Sequence, residues 1–428
     1  MGILKDLPEL VGAKVISDET ARKISDYYQS KRTTSPNKQL LIFGILGAVL
    51  VGIGLLFIIA NQWDELSQAT KTACAFLLLI APQSLVVYVL TTKQDKIIWR
   101  ESTGLLLFFA VGANISLLSQ IFHVNGEATS FILMWMLLAI PLIYLVNSSA
   151  VSLACLIGAM CYRLAVSVEA TDPSDAYLFW LLFALPLPHY FLLIRKSPDY
   201  LLSAFHDWVI PLVLTVSIQI ISQNAGELMS PVYLSMFAIF ILVGNGPIFA
   251  GKPLVFNGYK IFGFAGTVIT LLVMTFQDNW KKLAEGHYQF GSLMVTPEFI
   301  VNVILFVFAS LLLYRQYRNK SLADWKLTET TYWIYLLLFL VGTFTHLSYI
   351  LVNILVLVWA VILIRNGSKL NHLGVLNTGM IILTLLVTCR AFDTDLSFVA
   401  KGSLFVIVGI GFFLANWLIL KKRKENEA

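Results

Sequence analysis

The chain has 428 residues, 58% of them apolar and only 13% charged, with a formal net charge of +5 and a mean hydropathy of +0.78. These fractions lie outside the range of water-soluble domains and make lipid the expected solvent for most of the chain. The basic excess offers no nucleic-acid surface, because its Lys and Arg residues are spread over short loops and the two tails.

The N-terminal 39 residues form the one stretch that reads as water-soluble. Leu7 to Val15 is a short apolar-dotted segment. Ser17 then caps a second helix whose first turn carries Asp18 and Glu19, where the helix dipole favours acids. Ala21, Ile24 and Tyr28 follow on one face, giving a small cytoplasmic helical hairpin, with a linker over Thr33 to Asn37. The first apolar run begins at Leu40 after this charged stretch and lacks the short core and cleavage site of a signal peptide, so it reads as an uncleaved span.

From Leu40 onward, apolar runs near the roughly 20 residues that cross a bilayer alternate with short polar breaks. They fall near 40–60, 70–90, 102–122, 130–146, 149–166, 176–194, 205–223, 231–250, 255–276, 298–314, 331–348, 350–365, 373–389 and 400–420. The predicted fold is therefore an all-α polytopic membrane protein of about fourteen spans. The count falls to thirteen or twelve if the tight connections at Asn147–Ser149 and near Ser348 leave the helix unbroken. A basic tail over 421–428 closes the chain.

Charge orients this array. With the amino terminus inside, 24 of the 30 Lys and Arg residues fall on the inner side. Lys71, Arg163, Lys281, Lys282, Arg390 and Lys401 fall outside. The bias predicts that both termini are cytoplasmic.

Few motifs carry chemistry. Gly246 to Lys252 matches the Gly-x-x-x-x-Gly-Lys spacing of a phosphate-binding loop, but Pro253 replaces the hydroxyl that would bind magnesium, and no strand precedes it. The six histidines are scattered, the four cysteines (Cys74, Cys155, Cys161, Cys389) lie in or at the ends of apolar runs without paired spacing, and no carboxylate pair sits in mid-membrane. No enzyme activity, metal or cofactor is expected. Gly44, Ala48 and Gly52 line one face of the first span, and Gly411 with Ala415 repeat that spacing in the last, which suits close helix packing.

The third span carries the clearest anomaly. Gly112, Ser116, Ser119, Gln120 and His123 fall on one face of its outer half, level with Asn61, Trp63 and Asp64 at the end of the first span. A polar stripe should avoid lipid, so it either bonds to neighbouring helices or lines a wet cavity. The candidate cavity is thus Asn61, Asp64, Ser116, Ser119, Gln120 and His123. Arg163, His189, Asp207 and Lys260 are the other intramembrane ionisable residues. Pro186 and Pro188 bracket Leu187 and should break the sixth span beside His189.

Three strings, Ala60-Asn-Gln-Trp-Asp64, Gly112 through Gly126 and Trp135 through Leu142, together with Ile16 through Ala21, resemble the bacterial membrane proteins grouped as domain of unknown function 2157. The resemblance covers roughly the first 150 residues, with Gly402 to Gly411 a related stretch near the C-terminus. It divides the chain into a 1–39 hairpin, a family-like membrane domain over 40–150 and further helices over 151–420. It implies a multi-pass protein of the bacterial cytoplasmic (inner) membrane and brings no assigned activity.

Span number and the polar stripe favour a carrier or flippase-like protein for a small polar or amphipathic molecule, with membrane lipids as its surroundings and no nucleic-acid partner. The alternative is a non-transporting sensor or assembly factor that acts through the N-terminal hairpin. Deleting residues 1–35 should spare a carrier and abolish a sensor. The topology has its own test: in a cysteine-free background, Glu127→Cys, Glu227→Cys and Glu285→Cys should react with an impermeant thiol reagent from outside, and Asp95→Cys, Lys320→Cys and Lys369→Cys should not. The reverse pattern would overturn the orientation.

Overall fold

The computed structural model describes residues 7–13, 15–25, 38–61, 67–124, 126–169, 175–196, 201–222, 226–285, 294–321, 324–345, 347–393 and most of 398–417. Among these it is all-helical. Two short N-terminal helices, α1 (Leu7–Gly12) and α2 (18–25), precede α3 (Lys38–Asn61), α4 (Gln68–Thr92), α5 (Ile97–Ile121), α6 (Ala128–Leu145) and α7 (Ser149–Glu169). Then come α8 (Asp175–Ala184), α9 (Leu187–Lys196), α10 (Leu201–Ser217), α11 (Met229–Gly244), α12 (Gly258–Val273) and α13 (Gln277–Glu285). The last are α14 (Pro297–Tyr317), α15 (Leu327–Gly342), α16 (Ser348–Lys369), α17 (Leu373–Asp393) and α18 (Lys401–Gly411).

Among the described residues each of the fourteen apolar runs contains helix. Nine segments among the described residues are long and apolar enough to cross a membrane, counting α8 with α9 as one and α10 with its 3-10 extension to Ile221 as another. The remaining five are shorter apolar helices. A helix of 16 residues such as α11 is about 24 Å long, less than the roughly 30 Å of hydrocarbon it would cross.

The local signals behave as their chemistry dictates. Ser17 Oγ accepts the Thr20 amide at 3.2 Å, capping α2, while Tyr28 and the linker lie outside the described residues. Both tight connections break the helix. α6 ends with Asn147 in the left-handed region (φ 52°) and the Ser148 amide bonded back to Ile143 O at 3.1 Å, the Schellman closure of a helix terminus. α15 ends at Gly342 and α16 starts at Ser348. Pro186 lies between α8 and α9, and Pro188 is the second residue of α9, where its missing N–H costs no helical bond. Gly246 to Lys252 forms successive turns between α11 and α12.

Contacts divide the chain into two compact units, Met1–Val209 and Ile210–Ala428. In the first, α5 is the helix on which α3, α4, α6 and α7 pack, and α8 and α9 pack on α7. The small-residue face of α3 lies against it: a Cβ on Gly44 would stand 2.7 Å from Ser102 Oγ, and one on Gly52 2.9 Å from Phe109 Cβ. Asn114 of α5 is buried and donates through Nδ2 to Ala75 O of α4 at 2.6 Å. From the other side the Trp135 indole of α6 rests on Gly112 and donates through Nε1 to Phe108 O at 2.8 Å, one turn earlier. Only a glycine leaves room for that ring.

In the second unit α11 is buried along nearly all its length and packs against α12, α14 and α15. Gly263 of α12 brings the two backbones together, since a Cβ there would be 2.7 Å from Phe237 O and Ile241 N. Asn257 caps α12 by accepting the Lys260 amide and donates to Gly244 O at 2.8 Å, tying the start of α12 to the end of α11. The amphipathic α13 anchors itself with Trp280, fully buried over Gly342 and bonded to Met274 O. Gly411 lies near Met380; its companion Ala415 lies outside the described residues.

Gly52 and Gly54 share one helix but not one environment, since among the described residues nothing lies within 4 Å of a Cβ on Gly54. Gly52→Leu should destabilise the purified protein by about 1–3 kcal/mol, the usual cost of overpacking, and Gly54→Leu should not. Detergent melting of the two variants checks this, and equal melting points would refute the α3–α5 contact.

Candidate functional site

A helix that starts below a protein surface must find acceptors for its first N–H groups. At the start of α7 one acceptor is local. Ser148 Oγ accepts the Val151 amide at 3.3 Å, and Ser148 O takes the Ser152 amide. The two remaining donors are satisfied by Glu101, reaching across from α5. Its Oε1 accepts the Ser149 amide at 3.1 Å, and its Oε2 accepts the Ala150 amide at 2.8 Å and the Ser148 hydroxyl at 2.6 Å. Glu101 is 1% exposed, so its two oxygens are satisfied by these donors, at the positive end of α7, rather than by water. Gly104, one turn further along α5, permits the approach: a Cβ there would be 3.1 Å from Val151 and 3.3 Å from Ser148.

From this cap a chain of buried polar groups continues through α7, α9 and α10. Ser149 Oγ lies 3.1 Å from His189 Nε2 on α9. One turn on, Ser152 Oγ lies 3.1 Å from His206 Nε2, and His206 Nδ1 lies 2.7 Å from Leu202 O. A carbonyl only accepts, so Nδ1 carries a proton, and in the neutral ring Nε2 accepts from the Ser152 hydroxyl. His206 stacks on Tyr190, with ring centroids 5.5 Å apart, and the Tyr190 hydroxyl donates to the buried Asp207 Oδ1 at 2.7 Å.

Beside this network a pocket of about 400 Å³ lies between the N-terminal end of α5, the C-terminal end of α6 and α9. Arg100, Glu101, Tyr144, Asn147, His189 and Lys196 contribute its polar lining. The Tyr144 hydroxyl donates to Leu185 O at the proline break, so the interrupted helix is stitched to α6 at the pocket edge. Leu192 and Leu193 add apolar wall. The volume lies within the range of small-molecule sites, and the mixture of cations, hydroxyls and apolar surface suits a molecule with both polar and apolar parts.

The candidate residues at the other end of α5 have a different arrangement. Ser119, Gln120 and His123 share in one helix terminus: the Val124 amide bonds to Ser119 O at 2.9 Å, the His123 amide to Gln120 O at 3.4 Å, and His123 adopts the left-handed conformation (φ 47°) that ends the helix. Ser119 Oγ donates to Val124 O at 2.7 Å. Ser116 is half-buried, while Gln120 and His123 are exposed. Asn61 is the last residue of α3, with its side chain outside the described residues, and Trp63 and Asp64 lie outside them entirely. Gly112, on the same face, serves as the seat for Trp135.

Sequence reasoning named His189 and Asp207 but missed Glu101, Ser149, Ser152 and His206. The apolar run of the third span opens at residue 102, one position past Glu101, whereas α5 starts at Ile97. The available signal was Ile97-Ile98-Trp99, an apolar triplet just ahead of Arg100-Glu101 that extends the helix backwards.

Residues 8–152 match the family model described as Predicted membrane protein (DUF2157), which covers about the first third of the chain. Neither a curated protein nor a solved structure matches it.

The cap has a measurable weight. Glu101→Ala orphans two buried amides and should cost about 1–3 kcal/mol for each, whereas Ser149→Ala removes one hydroxyl contact worth about 0.6 kcal/mol. Thermal unfolding in detergent separates them, and equal losses would mean that the carboxylate does not hold the α7 terminus.

Proposed function

We propose that this chain is a fourteen-span protein of the bacterial cytoplasmic membrane, with both termini inside, that acts as a carrier or flippase for a small polar or amphipathic molecule. The observation that carries the reading is the roughly 400 Å³ pocket set beside a proline-broken helix and a buried hydroxyl–imidazole network. Interrupted helices that free backbone groups next to a polar cavity are a recurring feature of transporter sites.

In the orientation favoured by charge, the pocket opens at the inner end of α5 and the stripe of Ser116, Ser119, Gln120 and His123 lies at its outer end. Between them α5 is apolar and buried over Leu105, Leu107, Phe108 and Ala113. A carrier needs two mouths separated by a barrier, and one helix supplies candidates for all three. Asn61 and Asp64 would join the outer mouth.

The test is a melting series in detergent with a panel of metabolites and lipids. The wild type should be stabilised by at least one compound, His189→Ala should lose that response, and Gln120→Leu and His123→Ala should keep near-native stability. If no compound stabilises the wild type, and Gln120→Leu and His123→Ala both lose stability heavily, the polar groups are packing and the carrier reading fails.

A further inference from the structure

We propose that the pocket between α5, α6 and α9 recognises the anionic headgroup of an amphiphile, a phosphate or carboxylate, whose apolar part lies along Leu192 and Tyr144. The inference rests on the reading of this pocket as the site for a polar or amphipathic molecule and specifies that molecule's charge and shape.

Charge comes first. The lining brings together Arg100 and Lys196 with the imidazole of His189, and its one carboxylate is already engaged. Glu101 spends its oxygens on Ser148, Ser149 and Ala150, and among the described residues neither Arg100 nor Lys196 forms an ion pair. An oxyanion in the pocket would meet the Arg100 and Lys196 side chains that line it, with a charge-assisted hydrogen bond available from each.

Shape comes second. Tyr144 is 47% and Leu192 55% exposed, so the rim of the pocket is an apolar surface on the outside of the helix array. Where that surface meets lipid, an acyl or isoprenoid chain covers it while the headgroup reaches the cations inside. Basic pockets between helices at the cytoplasmic level bind acidic lipid headgroups by this division of labour.

The experiment uses the full-length protein in mild detergent, with melting and retained lipid in native mass spectrometry as readouts. Its arms are phosphatidylglycerol, phosphatidylcholine at equal mole fraction, and glycerol phosphate without a chain. Phosphatidylglycerol should stabilise and be retained, phosphatidylcholine should not, and the Arg100→Gln/Lys196→Gln protein should bind phosphatidylglycerol about thirtyfold more weakly. Arg100→Lys, which keeps the charge, should restore part of the affinity even if the double variant melts lower. Lys93→Gln/Lys96→Gln, in the α4–α5 connection and outside the pocket, should behave as wild type. Equal responses to the two lipids, or phosphatidylglycerol binding unchanged in the double variant, overturn the proposal. So does a response to glycerol phosphate as strong as that to the lipid, since the chain would then contribute nothing. A neutral compound that stabilises through His189 while these lipids fail would leave the carrier reading standing and remove only the anionic one.

Discussion

Lipid offers no hydrogen bonds, and the architecture around the pocket depends on how one helix terminus meets that constraint. Only two residues, Asn147 and Ser148, lie between the capping residue of α6 and the start of α7, with no loop whose water could serve the first amides. The Glu101 carboxylate of α5 takes that place, and in doing so fixes the spacing of α5, α6 and α7 at one level. The pocket is the space left beside this joint, where Arg100 and Lys196 line it next to a Glu101 whose oxygens are held by Ser148, Ser149 and Ala150.

Close approach of helices is the second requirement. Without a hydrophobic force between segments in lipid, packing relies on small residues and on a few directed hydrogen bonds. α5 uses both: Gly104 admits the start of α7, Gly112 seats Trp135, and Asn114 and the Phe108 carbonyl exchange hydrogen bonds with α4 and α6. Two strings that carry the family resemblance, one beginning at Gly112 and one at Trp135, are thereby two halves of a single contact. Their joint presence in the matched segment has a packing explanation independent of any activity.

The second unit applies the same physics with different residues. Gly263 brings backbones together, and Asn257 and Trp280 tie helix ends to neighbouring carbonyls. Its buried Glu329 accepts from Asn245 Nδ2 at 2.9 Å. In each unit a carboxylate near the start of a helix is buried and accepts at least one hydrogen bond from a neighbouring element.

The sequence by itself determined whatever depends on neighbours along the chain. The apolar runs became helices because burying a backbone in lipid demands internal hydrogen bonds, and the breaks at Asn147, at Pro186 with Pro188 and before Ser348 fell where backbone chemistry requires them. The Ser17 cap and the small-residue face at Gly44 and Gly52 were readable for the same reason. Only the tertiary structure decided the partners of Glu101, Asn114, Ser149 and His206. Their hydrogen bonds span 39 to 54 residues of sequence, and periodicity shows which face a residue occupies but not which helix lies opposite. The polar stripe of α5 illustrates the difference. Its shared face was legible in the spacing of Ser116, Ser119, Gln120 and His123, yet the use of Ser119 and His123 to end the helix, and the gathering of cations at its opposite end, depended on turn geometry and on α6, α7 and α9 converging there.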